Sequence, residues 1–260
     1  MHHRFIILLA GLGAATLSGG ALADTTLTYS SRDGETGMVY SITDSKASME
    51  SRDQNATMLY DASTKTITMI DHEEKTYTVI TEEARQQMEQ QMTAARDQSM
   101  QAMKDQLAGL PEGARDKILK GTQAGMEAGQ KGLSKGMETR VERTGEMDTV
   151  NGYECEMIRV SVMTSTSFIC IADNAEVGMP ASAAATMKKM NEDMRAIAGS
   201  VMSGLGANMP GGPDLEGVAV RMTSDGTTYT LSDLSTADVD PAVFEIPDGF
   251  EKQEIMTGGG

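Results

Sequence analysis

The sequence predicts an α+β fold, an antiparallel β-sheet with long helical inserts between its strand groups. Three observations predict it. Residues 25–80 alternate apolar and polar in short runs separated by turn formers. Residues 82–137 and 180–205 switch to apolar spacings of three and four, the period of a helix. Strand-like alternation returns after each of these inserts.

The chain opens MHHRFIILLAGLGAATLSGGALA. His2, His3 and Arg4 form a short basic region, Phe5 to Leu17 an apolar core, and Ala21-Leu22-Ala23 a small-residue cleavage site. This pattern predicts a signal peptide over residues 1–23, cut before Asp24, because the apolar run is too short for a membrane span. No cysteine follows it, so a lipid anchor is not indicated. The expected mature protein is soluble and periplasmic or secreted.

Leu27 with Tyr29 marks the first strand, and Met38, Tyr40 and Ile42 the second. Ala47 with Met49, Ala56 with Met58 and Tyr60, Ile67 with Met69, and Tyr77 with Val79 mark four more. The connectors RDGETG, TDSK, RDQN, DAST and DHEEK carry the turn residues of a meander. A helix then follows from Ala84, Met88, Met92, Ala95, Met103, Leu107 and Leu110, with Glu82 and Glu83 suited to its N-terminal dipole. The segment LPEG breaks it, and a second helix is expected from Ala114 to Met137.

Strands are expected at 139–144, 153–162 and 167–172, then a third helix after Pro180 through Met187, Met190, Met194, Ile197, Val201 and Leu205. The loop GANMPGGPD leads to strands 218–223 and 227–231, joined at Asp225-Gly226, a strong hairpin signal. A last short strand is expected near Val243 to Ile246. These elements make one domain over 24–252, with 253–260 as a flexible tail.

Without residues 1–23 the chain keeps 237 residues, with 21 Lys and Arg against 38 Asp and Glu, a net charge of −17. Such a surface repels phosphate backbones and anionic headgroups, which argues against nucleic acid and against electrostatic membrane docking. No later segment is long and apolar enough to be transmembrane. Cys155 and Cys170, an even pair in an exported chain flanking a hairpin-like segment, read as a disulfide. A metal site there lacks a nearby histidine.

All six tyrosines fall in expected strands, whereas the helical segments 81–138 and 181–212 hold no aromatic residue and eleven of the 22 methionines. Methionine is flexible and polarizable, suited to surfaces that repack around varied partners. A ligand-lining set follows: Met88, Met92, Met103, Leu107, Met126, Leu133, Met187, Met190, Met194 and Ile197. The second helix also carries Gly121, Gly125, Gly129, Gly132 and Gly136 at helical spacing. Each interior glycine costs about 1 kcal/mol of helix stability relative to alanine. A smooth glycine face permits close approach of another surface, so close packing against a helix or the sheet is the expectation.

Signs of catalysis are thin. GLSKG at 132–136 matches the nucleophile-elbow pattern G-x-S-x-G, but Ser134 sits within a helical repeat and His72 is the one histidine after residue 23. Asp233, Asp238 and Asp240 lack the spacing of a calcium loop. Neither an enzyme, a metal nor a cofactor is indicated. Thioether binding of Cu(I), through Met100/Met103 and Met187/Met190/Met194, is the soft-metal rival, but any amphipathic helix requires the same spacing.

The closing stretch meets the pattern D-P-x-x-F-x-x-P-x-G-[YF] with Asp240, Pro241, Phe244, Pro247, Gly249 and Phe250. VNGYEC at 150–155 and the hairpin TITMIDHEEKTYTVIT accompany it. These residues resemble the DUF4412-type secreted bacterial domains, whose function is uncharacterised. The resemblance implies a fold similar to the LolA/LolB/LppX lipoprotein-carrier group. That fold is a curved, half-barrel-like antiparallel sheet with helices lying over one face and acyl chains held between. The expectation is therefore a non-enzymatic exported binding protein for an apolar small molecule or lipid. The alternative is a protein-interaction or assembly module docking through the glycine-rich helix, with its protein partner unknown.

Overall fold

Local turn chemistry spaces the first half of the sheet. The computed structural model describes residues 24–254 apart from 137–138, 163–164, 205–214 and 225. The expected signal peptide (1–23) and tail residues 255–260 lie outside the described residues. Six strands form a meander: β1 (Thr25–Ser31), β2 (Thr36–Ile42), β3 (Lys46–Ser51), β4 (Ala56–Asp61), β5 (Thr66–Asp71) and β6 (Thr76–Ile80). Asn55, Lys65 and Lys75 close the last three turns at φ of 49°, 52° and 53°. Asp61 accepts hydrogen bonds from the N–H groups of Ser63 (2.8 Å) and Thr64 (3.3 Å), and Asp71 from those of Glu73 and Glu74 (both 2.9 Å). These side-chain-to-backbone turns repeat at ten-residue intervals and fix the register of β4, β5 and β6.

Helices α1 (Glu82–Gln106) and α2 (Glu112–Gly136) follow. The Thr81 side chain caps α1 by accepting from the Ala84 N–H, and Glu82 and Glu83 occupy its first turn. Strands β7 (Arg140–Val150), β8 (Tyr153–Val162) and β9 (Ser165–Ala172) come next. Asn151 and Gly152, at φ of 53° and 91°, make the two-residue turn that pairs Val150 with Tyr153. A single turn α3 (Asn174–Val177), the long helix α4 (Ala181–Gly204), β10 (Val218–Ser224), β11 (Thr227–Ser235), a 3-10 turn (Pro241–Phe244) and β12 (Glu251–Gln253) complete the chain.

Among the described residues twelve strands join one open, curved sheet in the order β12-β6-β5-β4-β3-β2-β1-β11-β10-β9-β8-β7. Every pairing is antiparallel except β12 with β6. Helices α1 and α2 link a strand near one edge to the strand at the other, and the late strand β11 returns to pair with β1. Helix α4 packs over β2 and β3 and against α1. The apolar core lies mainly between this helical layer and one face of the sheet, with Leu27, Ile42, Ala47, Tyr60, Val218, Val220 and Leu231 buried there.

The C-terminal motif is a strap. After β11 the chain passes behind the meander, where Phe244 and Ile246 line a gap of about 340 Å³ together with Leu59 and Thr68, and adds β12 beside β6. Phe250 meets His72 edge to face at 5.6 Å, and His72 Nε2 lies 2.8 Å from Thr57 Oγ1. The strand expected near Val243 to Ile246 is corrected: a 3-10 turn occupies 241–244, and pairing begins at Glu251. Asp240 sets that turn by accepting from the Ala242 N–H at 3.0 Å, and Pro241 stands in its first turn. The tail expected from 253 is shortened, since Gln253 pairs with Thr78.

Candidate ligand-binding face

Cross-strand register, rather than any one strand, builds the apolar floor. Leu27, Tyr40, Met49, Met58 and Met69 stand opposite one another on β1 through β5, with Leu234 of β11 beyond Leu27. The neighbouring row on the same face is Thr25, Ile42, Ala47, Tyr60, Ile67 and Ile80. Leu27 (0% exposed) and Met58 (6%) are sealed, Tyr40 and Met49 between them are half-buried, and Met69 at the end of the ladder is 46% exposed. Tyr29 and Tyr40 meet edge to face at 5.7 Å, and burial pushes both phenols above their ordinary range.

Two polar contacts seat α4. Thr186 donates to the carbonyl of Asp44 at the β2–β3 turn (2.9 Å), and Tyr60 donates to Asp193 (2.6 Å), which also pairs with Lys189 one turn back on the same helix (3.2 Å). Along this helix Ala183 and Met190 are buried, and Met187, Met194 and Ile197 pack against the same core. The four α4 residues expected to line a ligand thus face the sheet.

The other expected lining residues are dispersed. Met88 lines a polar gap of about 490 Å³ between the start of α1 and the β6–β12 edge, while Met103 and Leu107 are half-buried near the far end of α1. The side chains of Met92, Met126 and Leu133 lie outside the described residues, as do the surroundings of Gly129, Gly132 and Gly136. For Gly121 and Gly125 the expected close packing is corrected, because a methyl group at either would meet nothing within 4 Å. Ile118 and Leu110 are also exposed.

A groove of about 310 Å³ separates the first half of α4 from β10. Met179, Met187 and Val218 line it, and Lys188 and Glu216 stand in the lining 3.4 Å apart. Sequence reasoning missed this groove and left the sheet methionines Met38, Met49, Met58, Met69 and Met222 out of the expected ligand-lining set. The available signal was the near ten-residue spacing of Met49, Met58 and Met69 on consecutive strands.

The Cys155–Cys170 pair is bonded, with Cα atoms 5.3 Å apart and both residues buried. Register puts Cys170 opposite Met157, so the bridge runs diagonally between β8 and β9. The chemistry of His72 is structural in setting, between Thr57 and Phe250. Among the described residues no three His, Cys, Asp or Glu side chains converge on one point, and no helix is long and apolar enough to cross a membrane.

A family model described as "Domain of unknown function (DUF4412)" matches residues 117–250. The matched region runs from α2 through the strap, leaving the six-strand meander and α1 before it. No curated protein matches the chain. Among solved structures it resembles PNGF-II in its C2 and P21 crystal forms, at 8% identity and TM-scores of 0.41 and 0.42. The alignments cover 90% of this chain but 31% and 32% of those, so it spans about a third of their length.

Proposed function

We propose, from the premise that this chain belongs to the DUF4412 family, that it is a non-enzymatic exported protein that binds an apolar ligand. The ligand lies between the sheet and its methionine-rich helices, in the manner of the lipoprotein-carrier group. The observation that carries the reading is the Leu27–Tyr40–Met49–Met58–Met69 ladder, whose apolar run continues out to an exposed methionine. A ladder of flexible thioethers accepts varied chain shapes at little cost in strain, as rigid aromatics would not. The N-terminal pattern supports export.

The test is native mass spectrometry of protein purified from its own periplasm without detergent, followed by uptake of a fluorescent fatty acid. The expected result is a co-purifying apolar adduct and saturable uptake. Uniformly bare protein that takes up no lipid overturns the reading.

A second reading, an assembly module docking through α2, is favoured by one observation: Gly121, Gly125 and Ile118 lie uncovered on that helix. Sedimentation velocity over a range of concentrations separates the two. A strict monomer that captures no partner removes the second.

A further inference from the structure

The groove between α4 and β10 is a site of a particular chemical character. Its floor is apolar: Val218 and Met179 are buried, and Met187 packs against the core. Among the described residues its charged lining groups are one cation and one anion, Lys188 and Glu216, joined at 3.4 Å, and Asn191 also lines the groove. Their side chains are 50% and 76% exposed, so the pair contributes little to stability and opens at little cost. At about 310 Å³ the groove sits at the small end of the roughly 300–1,000 Å³ range of small-molecule sites.

We propose that this groove takes a single-chain amphiphile with a zwitterionic head, its acidic group on Lys188, its ammonium on Glu216 and its chain over Met179, Met187 and Val218. The inference rests on the apolar-ligand reading above and names the ligand class for one part of that face. Charge decides between head types. A purely anionic head meets Lys188 but also the unneutralised Glu216 carboxylate, within a chain of net charge −16. A purely cationic head meets the reverse conflict locally. A zwitterion replaces the existing ion pair with two, leaving neither side chain unpaired.

The mature chain would be titrated with lauroyl lysophosphatidylethanolamine, the matching lysophosphatidic acid and dodecanol, each competing against a dansylated fatty acid. The zwitterion is expected to bind most tightly. Lys188→Glu should weaken both lysophospholipids by about tenfold or more, the weight of a charge-assisted hydrogen bond, and leave dodecanol unchanged. Glu216→Gln should weaken only the zwitterion. Both positions are exposed, and an unchanged thermal midpoint confirms that each variant is folded. If the probes bind but neither variant alters their order, the groove assignment is overturned while the apolar-ligand reading stands. If the wild-type chain binds none of them, both fall.

Discussion

Tyr60 and Asp193, 133 positions apart in the chain, meet in a 2.6 Å hydrogen bond that fastens α4 to the middle of the meander. Tyr60 is 2% exposed, so its phenol is a buried donor whose partner is a charge. Tyr60→Phe keeps the ring and removes the donor. Lys189 still reaches Asp193 at 3.2 Å, which holds the expected loss near about 1.5 kcal/mol, the low end for bonds to charged groups. For a chain of this size that lowers the thermal midpoint by about 3–6 °C. An unchanged midpoint in calorimetry would mean that packing by itself seats the helix.

Alkaline pH should unfold the protein cooperatively. Burial pushes the Tyr29, Tyr40 and Tyr60 phenols up, with Asp193 adding to the effect at Tyr60; Tyr229 is raised first by its hydrogen bond to the Asp53 carboxylate and then by burial. In each case the folded pKa exceeds the unfolded value of about 10, so the folded state holds protons that the unfolded chain releases. The associated stability is complete below about pH 10 and is lost as pH rises toward the folded values. Phenolate absorbance and circular dichroism should therefore change together. Titration of Tyr29, Tyr40, Tyr60 and Tyr229 while the fold persists would contradict this.

The Cys155–Cys170 bridge spans a sequence separation of 15, for which the chain-entropy model gives about 3 kcal/mol. Because both cysteines are buried, a reductant should act slowly on the native protein and quickly once denaturant is added. After reduction the midpoint should fall by about 6–12 °C. Thiols that react with a probe in unreduced, native protein would show that the bond is not formed.

Glycine substitutions should split by sign. A methyl group at Gly121 or Gly125 meets open space, so alanine there should stabilise by up to about 1 kcal/mol through helix propensity. At Gly37 the same methyl group runs into the Tyr229 ring, 2.8 Å from Cδ1, and should cost about 1–3 kcal/mol by overpacking. Gly217, at φ of +118° with its added Cβ 2.5 Å from the Ala172 carbonyl, should tolerate alanine least. Chemical denaturation of the four variants reads the signs directly. A loss of stability at Gly121 and Gly125 would restore a packed glycine face.

The element list was legible because it depends on local chemistry. Six alternating runs became β1 to β6, the switch to helical spacing became α1, α2 and α4, and Asp61 and Asp71 set their own turns. The cysteine pair was legible too, since a short hairpin constrains how far apart its ends can lie. The α3 turn went unread, because four residues carry no period.

Which face each alternation serves is a different question, and it is decided by pairing. Tyr77 and Val79 alternate just as Leu27 and Tyr29 do, yet register places them with Ile70 and Thr68, on the face opposite the α4 layer. The period of two is the same for either side of a sheet, so a strand by itself does not choose its face. The same holds for α2, where an apolar glycine stripe specifies a helical face but not a neighbour, and Gly121 and Gly125 were left uncovered. By itself the sequence determined β1 to β11, the three long helices, their turns and the disulfide, all consequences of contacts within a few residues or one hairpin. Only the tertiary structure brought Met49, Met58 and Met69 into one row, Lys188 to Glu216, and the terminal motif across the back of the sheet. Those placements depend on long-range register and on the return of β11 to β1, which no local pattern encodes.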